Sequence, residues 1–205
     1  MRSACARPGF SPSRSRHGPY NSPDPNRGRS NRIPRRRRRA LHCFANSCLR
    51  RSMVTISLPS DQRAHFRKCL RRAGRREIGG ILMGEQVEPD HFRIVDFSVD
   101  ETSGTAAHFV RSPDHHAEAL ERFFRRTGSD FRRFNYLGEW HSHPSFPVRP
   151  SREDMMSMQG LVDGERDIDF SALVIVRLRC FLRLEAAAYM FVRRRAPSHV
   201  ALTTR

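Results

Sequence analysis

The sequence predicts an α/β domain with a mixed β-sheet, preceded by a non-globular tail. Three observations predict it. The 205 residues suit one domain with an appendage. Charge changes character at Met53: residues 1–52 hold fourteen Arg and one acid, Asp24, so they carry +13 of the net +17, and the rest carries only +4. From Met53 onward, apolar residues switch repeatedly between a period of two and a period of 3.6, the strand and helix periods.

The elements follow in order. Val54–Leu58 is a short strand. Ser60 caps a helix whose apolar stripe is Phe66, Cys69, Leu70 and Ala73, at i, i+3, i+4 and i+7. Gly74 ends that helix. Ile78–Gly84 and Phe92–Val99 are strands joined by a turn near Glu88–Asp90. Ala106–Val110 is a third short strand. Ser112-Pro113 then supplies a cap with proline at the first helical position. Ala117, Leu120 and Phe124 line the next helix, which Gly128 terminates. Phe134–His141 is a strand, Ser151–Val162 a helix, and Phe170–Val176 and Phe181–Val192 two late strands. The domain runs from 53 to 195, roughly 150 residues, enough for a core. Residues 196–205 read as a C-terminal tail.

Composition excludes several classes. No apolar run approaches the length of a membrane span, and the N-terminus lacks the apolar core of a secretory signal. Five cysteines, an odd number without close CxxC pairs, argue against a disulfide framework and for a reducing compartment, the cytoplasm. Residues 1–40 are Pro-, Gly- and Arg-rich with little to bury, and read as disordered. Arg35–Arg39 is an unbroken positive block. As a functional element it is an arm for nucleic acid. The alternative, which we prefer, is a solvated tail or sequence upstream of a natural start at Met53.

The chemistry concentrates in Trp140-His141-Ser142-His143-Pro144 and Ser151-Arg152-Glu153-Asp154. Two residues apart on a strand, His141 and His143 face one way. Pro144 ends the strand and leaves both imidazoles at its mouth. Ser151 starts a helix with Asp154 in its first turn, within reach of the same point. Two imidazoles and one carboxylate with a fourth position open is the donor set of a catalytic zinc, not a structural one. Taken singly, Ser-x-x-Asp is an ordinary capping box and His-x-His an ordinary surface pair; the combination is what points to a metal. His115 and His116, adjacent on a helix, point about 100° apart and read as surface residues. His108, in the strand Ala106–Val110, reads as an ordinary strand residue rather than as part of the cleft. Met155, Met156 and Met158 read as packing beneath the metal helix.

These residues resemble the signature of the JAMM (MPN+/JAB) zinc metalloproteases: a Glu, then His-Ser-His, seven residues, and Ser-x-x-Asp. Here it reads Glu77, His141-Ser142-His143, PSFPVRP, and Ser151 to Asp154. Trp140, Pro144 and the Glu77–Gly84 run also resemble the family, most closely its small stand-alone bacterial members. The resemblance implies a mixed, curved central sheet flanked by helices. It implies that His141, His143 and Asp154 bind Zn2+, with water as fourth ligand. It implies that Glu77 is the general base and that Ser151 donates to the oxyanion. Position alone does not choose Glu77; Glu139, two residues before His141, is the rival base.

The implied activity is (iso)peptidase cleavage after the C-terminal tail of a ubiquitin-like (β-grasp) protein or conjugate, the tail lying extended along a sheet edge beside the zinc. Two other readings stand beside it. One is an assembly subunit of this fold that needs a protein partner. The other is a nucleic-acid-associated protein acting through the basic tail.

Overall fold

A computed structural model describes residues 54–100, 113–164 and 168–204, with backbone alone at 113–115. The readings made for the tail, for Ala106–Val110 with His108, for the Ser112 cap and for Cys5, Cys43 and Cys48 lie outside the described residues.

The described residues form seven strands and three helices, in the order β1 (Thr55–Ser57), α1 (Ser60–Ala73), β2 (Gly79–Glu88), β3 (His91–Phe97), α2 (Pro113–Arg126), β4 (Phe134–Ser142), α3 (Arg152–Gly164), β5 (Phe170–Arg179), β6 (Arg183–Val192) and β7 (Ser198–Thr203). The sheet is mixed. β1 pairs in parallel with β3 and β7, and β4 with β5; β2–β3, β2–β4, β5–β6 and β6–β7 are antiparallel. It closes into a barrel in the order β1-β3-β2-β4-β5-β6-β7.

Closure goes beyond the expected mixed, curved sheet, and it depends on the segment expected to be a C-terminal tail. Residues 198–203 form β7, which buries Val200 and joins β6 to β1. Three-residue β1 then bridges β3 and β7, leaving neither strand an open edge on that side.

α1 carries the predicted stripe: Phe66, Cys69, Leu70 and Ala73 are buried. Pro59, not Ser60, occupies the cap position and makes no side-chain capping bond, so the helix starts with Ser60 inside it and Asp61 near its positive end. Gly74 closes it at φ 64°, its N–H donating to the Leu70 carbonyl, a left-handed position that glycine adopts without Cβ strain.

Phe66 stacks on Phe97 at 3.9 Å between centroids and meets the edge of Trp140 at 4.8 Å. They belong to the inner core, with Ile56, Leu82, Phe92 and Val174. The other sheet face forms a second core, where Phe123 of α2 and Met158 and Val162 of α3 cover Ile81, Leu173 and Ile175.

On α2 the buried face is rotated from expectation. Ala119, Leu120 and Phe123 are buried, whereas Ala117 and Phe124 are half-buried. His116, expected on the surface, is 8 % exposed, its Nδ1 2.9 Å from the Ser98 hydroxyl. The β5–β6 connection is a tight turn with Cys180 and Phe181 at φ 49° and 59°, so β6 starts after Phe181, not at it.

Candidate metal centre

The centre stands where β4 ends beside β5. Gly138 through Ser142 pairs in register with Ala172 through Val176, and the His143 N–H still reaches the Val176 carbonyl at 2.9 Å. Pro144 has no N–H to continue the ladder. Alternation sends Trp140 to the inner core, where its indole N–H donates to the Ser98 carbonyl at 2.8 Å. Gly80 of β2 lies against that same carbonyl: a Cβ there would sit 2.1 Å from it, so only glycine lets β2 approach.

His141 and His143 are both buried, at 7 % and 8 % exposure, and their Nε2 atoms converge to 3.0 Å. The His143 Nδ1 lies 2.8 Å from the Pro147 carbonyl. A carbonyl only accepts, so Nδ1 carries the proton and Nε2 presents its lone pair.

Ser151 and Asp154 form a reciprocal capping box at the start of α3. The Asp154 N–H donates to the Ser151 hydroxyl at 3.1 Å, and the Ser151 N–H donates to Asp154 Oδ2 at 2.7 Å. The box holds the Asp154 carboxylate with Oδ1 3.5 Å from His141 Nε2 and Oδ2 4.0 Å from His143 Nε2. One ligand atom from each of the three residues lies within 4.8 Å of the others.

This donor set fits zinc. A tetrahedral ion with bonds of about 2.0–2.1 Å keeps its ligands about 3.3 Å apart; the two imidazole nitrogens are 3.0 Å apart, and the nearer carboxylate oxygen of each pair lies 3.5 and 4.0 Å from them, a small adjustment away. Two imidazole nitrogens facing each other at 3.0 Å also require a proton or a cation between them. Burial alone would raise the Asp154 carboxyl; hydrogen bonding and charge from His141, then the two bonds with Ser151, outweigh it and hold the group well below the usual carboxylate range.

Glu77 is buried at 6 % exposure just before β2. Gly79 pairs with His141, and Ile78 exchanges two bonds with Ser142, so the residue after Glu77 is tied to the serine between the two histidines. Glu139 is half-buried deeper in the sheet, paired with the core residues Ile81 and Leu173. Glu85, a third nearby acid in sequence, is at the far end of β2, bonded to Arg93 and Arg133.

Of the methionines, Met158 is buried, Met155 is half-buried against the outer core and Met156 is 65 % exposed. The expected sheet edge is missing: β2, β4 and β5, which surround the centre, are each paired on both sides. Sequence reasoning missed two supports, the Ser142 hydroxyl and the Pro147 carbonyl. The first had a signal, since alternation turns Ser142 inward, where a hydroxyl needs a partner.

Residues 59–196 match the family described as prokaryotic homologs of the JAB domain. The chain belongs to this family. Among solved structures, the JAB chain is similar to protein DSY2949 from Desulfitobacterium hafniense, known from a solution structure. The two are 20 % identical, with a TM-score of 0.54, covering 74 % of this chain and 93 % of that one; at that identity the likeness concerns the fold. No curated protein matches the chain. The JAB domain's described helices include none long and apolar enough to cross a membrane.

Proposed function

We propose that this JAB-domain protein is a zinc-dependent (iso)peptidase that cleaves after the C-terminal tail of a ubiquitin-like protein or conjugate. The observation that carries the reading is the convergence of His141, His143 and Asp154 at the end of β4; the buried Glu77 just before β2 supports it. Zinc bound there supplies a Lewis acid and a water acidified toward neutrality.

The chain's own groups supply the rest. Glu77 takes a proton from the attacking water and returns it to the leaving amine. The Ser151 oxygen accepts the Asp154 N–H, which leaves its own O–H to donate to the oxyanion at the scissile carbonyl. One serine thus serves the helix start and the reaction. The substrate tail meets the loops around the mouth, because the neighbouring strands are already paired. A cytoplasmic location and an activating protein partner belong to this proposal.

The test compares the protein with Glu77→Gln in lysate of the source organism, reading new C-termini by mass spectrometry. Termini ending in glycine, made only by the unmodified protein, are expected. Identical termini with zinc bound in both proteins would overturn peptidase action and favour an assembly role.

A further inference from the structure

The loop from His143 to Pro147 is held from outside by a residue that the signature does not contain. Arg177 follows Val176 on β5. Its Nε donates to Glu185 Oε2 at 2.6 Å and its Nη1 donates to the Phe146 carbonyl at 3.2 Å. The next carbonyl, that of Pro147, receives the His143 Nδ1 proton. We propose that Arg177 is a positioning residue for the metal centre, fixing the ring and tautomer of His143 through the Phe146–Pro147 peptide.

Few soft dihedrals separate Arg177 from His143. A peptide unit is planar, so a guanidinium on the Phe146 carbonyl fixes the plane that enters Pro147. The pyrrolidine ring locks the proline φ near −65°. Only the Pro147 ψ then stands between that plane and the carbonyl that faces His143, and the Arg149 N–H bonds the same carbonyl at 2.8 Å.

Glu185 makes the arrangement stiff. It holds Arg177 on one oxygen and Arg179 on the other, at 3.4 Å. Arg177 is 28 % exposed and Arg179 64 %, so the inner arginine is the ordered one. A planar, forked guanidinium reaches a carboxylate and a carbonyl together; an ammonium serves as a single point charge. Partners that orient a ligating histidine typically alter metal affinity about 10–100-fold.

The affinity arm of the test rests on the zinc reading above; the tautomer arm does not. Zinc affinity is measured by competition with a chelator for the full chain and for Arg177→Met, Arg177→Lys and Arg179→Met. The last removes an arginine from the same carboxylate without touching the loop. Arg177→Met is expected to weaken zinc binding about 10–100-fold, Arg179→Met to leave it within about threefold, and Arg177→Lys to recover part of the loss. Nitrogen-15 NMR of the zinc-free proteins reads the His143 tautomer directly. The Nδ1–H form is expected in the unmodified chain and in Arg179→Met, and a mixture in Arg177→Met. Unchanged affinity together with an unchanged tautomer in Arg177→Met would overturn the proposal. If the unmodified chain binds no zinc, the zinc reading fails, and the tautomer comparison alone decides the role of Arg177.

Discussion

Ser142 and Ile78 exchange two hydrogen bonds across the mouth of the barrel. The Ile78 N–H donates to the Ser142 hydroxyl at 3.0 Å, and the Ser142 N–H donates to the Ile78 carbonyl at 2.8 Å. Both residues are fully buried. The serine between the two metal-site histidines therefore holds the segment that carries Glu77, which couples the candidate base to the candidate metal centre through a side chain that faces away from both.

Ser142→Ala separates those two functions. It leaves the Ile78 N–H buried without its acceptor, at a cost of about 1–3 kcal/mol. Zinc stoichiometry should stay at the unmodified value, because both imidazoles remain. Turnover should fall about tenfold or more as the Glu77 segment loosens, since small displacements of a positioned group are costly in rate. Urea denaturation, metal analysis and an activity assay on one preparation check this. Full stability would mean that Ile78 has found another acceptor.

Ser151 caps α3, and the proposed function gives it a second role that substitutions can pull apart. Alanine removes the helix cap, costing about 1 kcal/mol, whereas glycine at a cap costs only a few tenths. Neither has a hydroxyl to donate, and loss of an oxyanion donor lowers kcat about 10²–10³-fold. Ser151→Ala and Ser151→Gly should thus be equally impaired in turnover and unequal in stability. If the glycine variant keeps its activity, Ser151 acts only as a cap.

Asp154 is a capping acid and, on the proposed reading, a metal donor as well. Asparagine keeps an oxygen for the Ser151 N–H and loses the charge; alanine loses both. Asp154→Asn should retain the helix and stability but bind zinc at least about 100-fold more weakly, beyond the loss expected for a merely supporting partner. Titration with a chromophoric chelator measures it, alongside circular dichroism. Zinc binding as tight as in the unmodified chain would remove Asp154 from the ligand set.

What the sequence shows of all this is uneven, for physical reasons. The α1 stripe is legible because one face of a helix repeats locally, and Phe66, Cys69, Leu70 and Ala73 need no distant partner to declare themselves. The candidate metal residues are legible because strand alternation and a capping box are local rules that converge on one point. On α2 the adjacent Phe123 and Phe124 admit two faces. The choice is made by tertiary contact: Phe123 is 1 % exposed in the outer core, and His116 is drawn inward by Ser98. Barrel closure is illegible because β1 is three residues long and pairs with β7 some 146 positions away, as the Ser57–Thr203 hydroxyl contact at 3.0 Å shows. Arg177 has no local pattern at all; its partner is a backbone carbonyl 31 residues earlier.

Glu85 offers a test of the fold that is independent of the metal. It is 2 % exposed and bonds both Arg93 and Arg133, the latter at 2.7 Å. Burial would raise its carboxyl, but hydrogen bonds and charge from the two arginines bring it below the ordinary 4.5. A carboxyl lowered on folding stabilises the native state above its unfolded pKa, and that contribution disappears as pH falls through the lowered folded value. Breaking a fully buried pair costs about 3–5 kcal/mol. Arg93 and Arg133 are 46 % and 59 % exposed, so solvent screening reduces the expected loss in Glu85→Gln to about 1–3 kcal/mol at pH 7. The gap between the two proteins should hold from pH 7 down to about 4.5 and close below it. Urea denaturation at successive pH values reads the gap directly, and the other carboxyls cancel because both proteins share them. A gap that stays constant down to pH 3 would show that packing at this position, rather than its charge, is what the glutamate contributes.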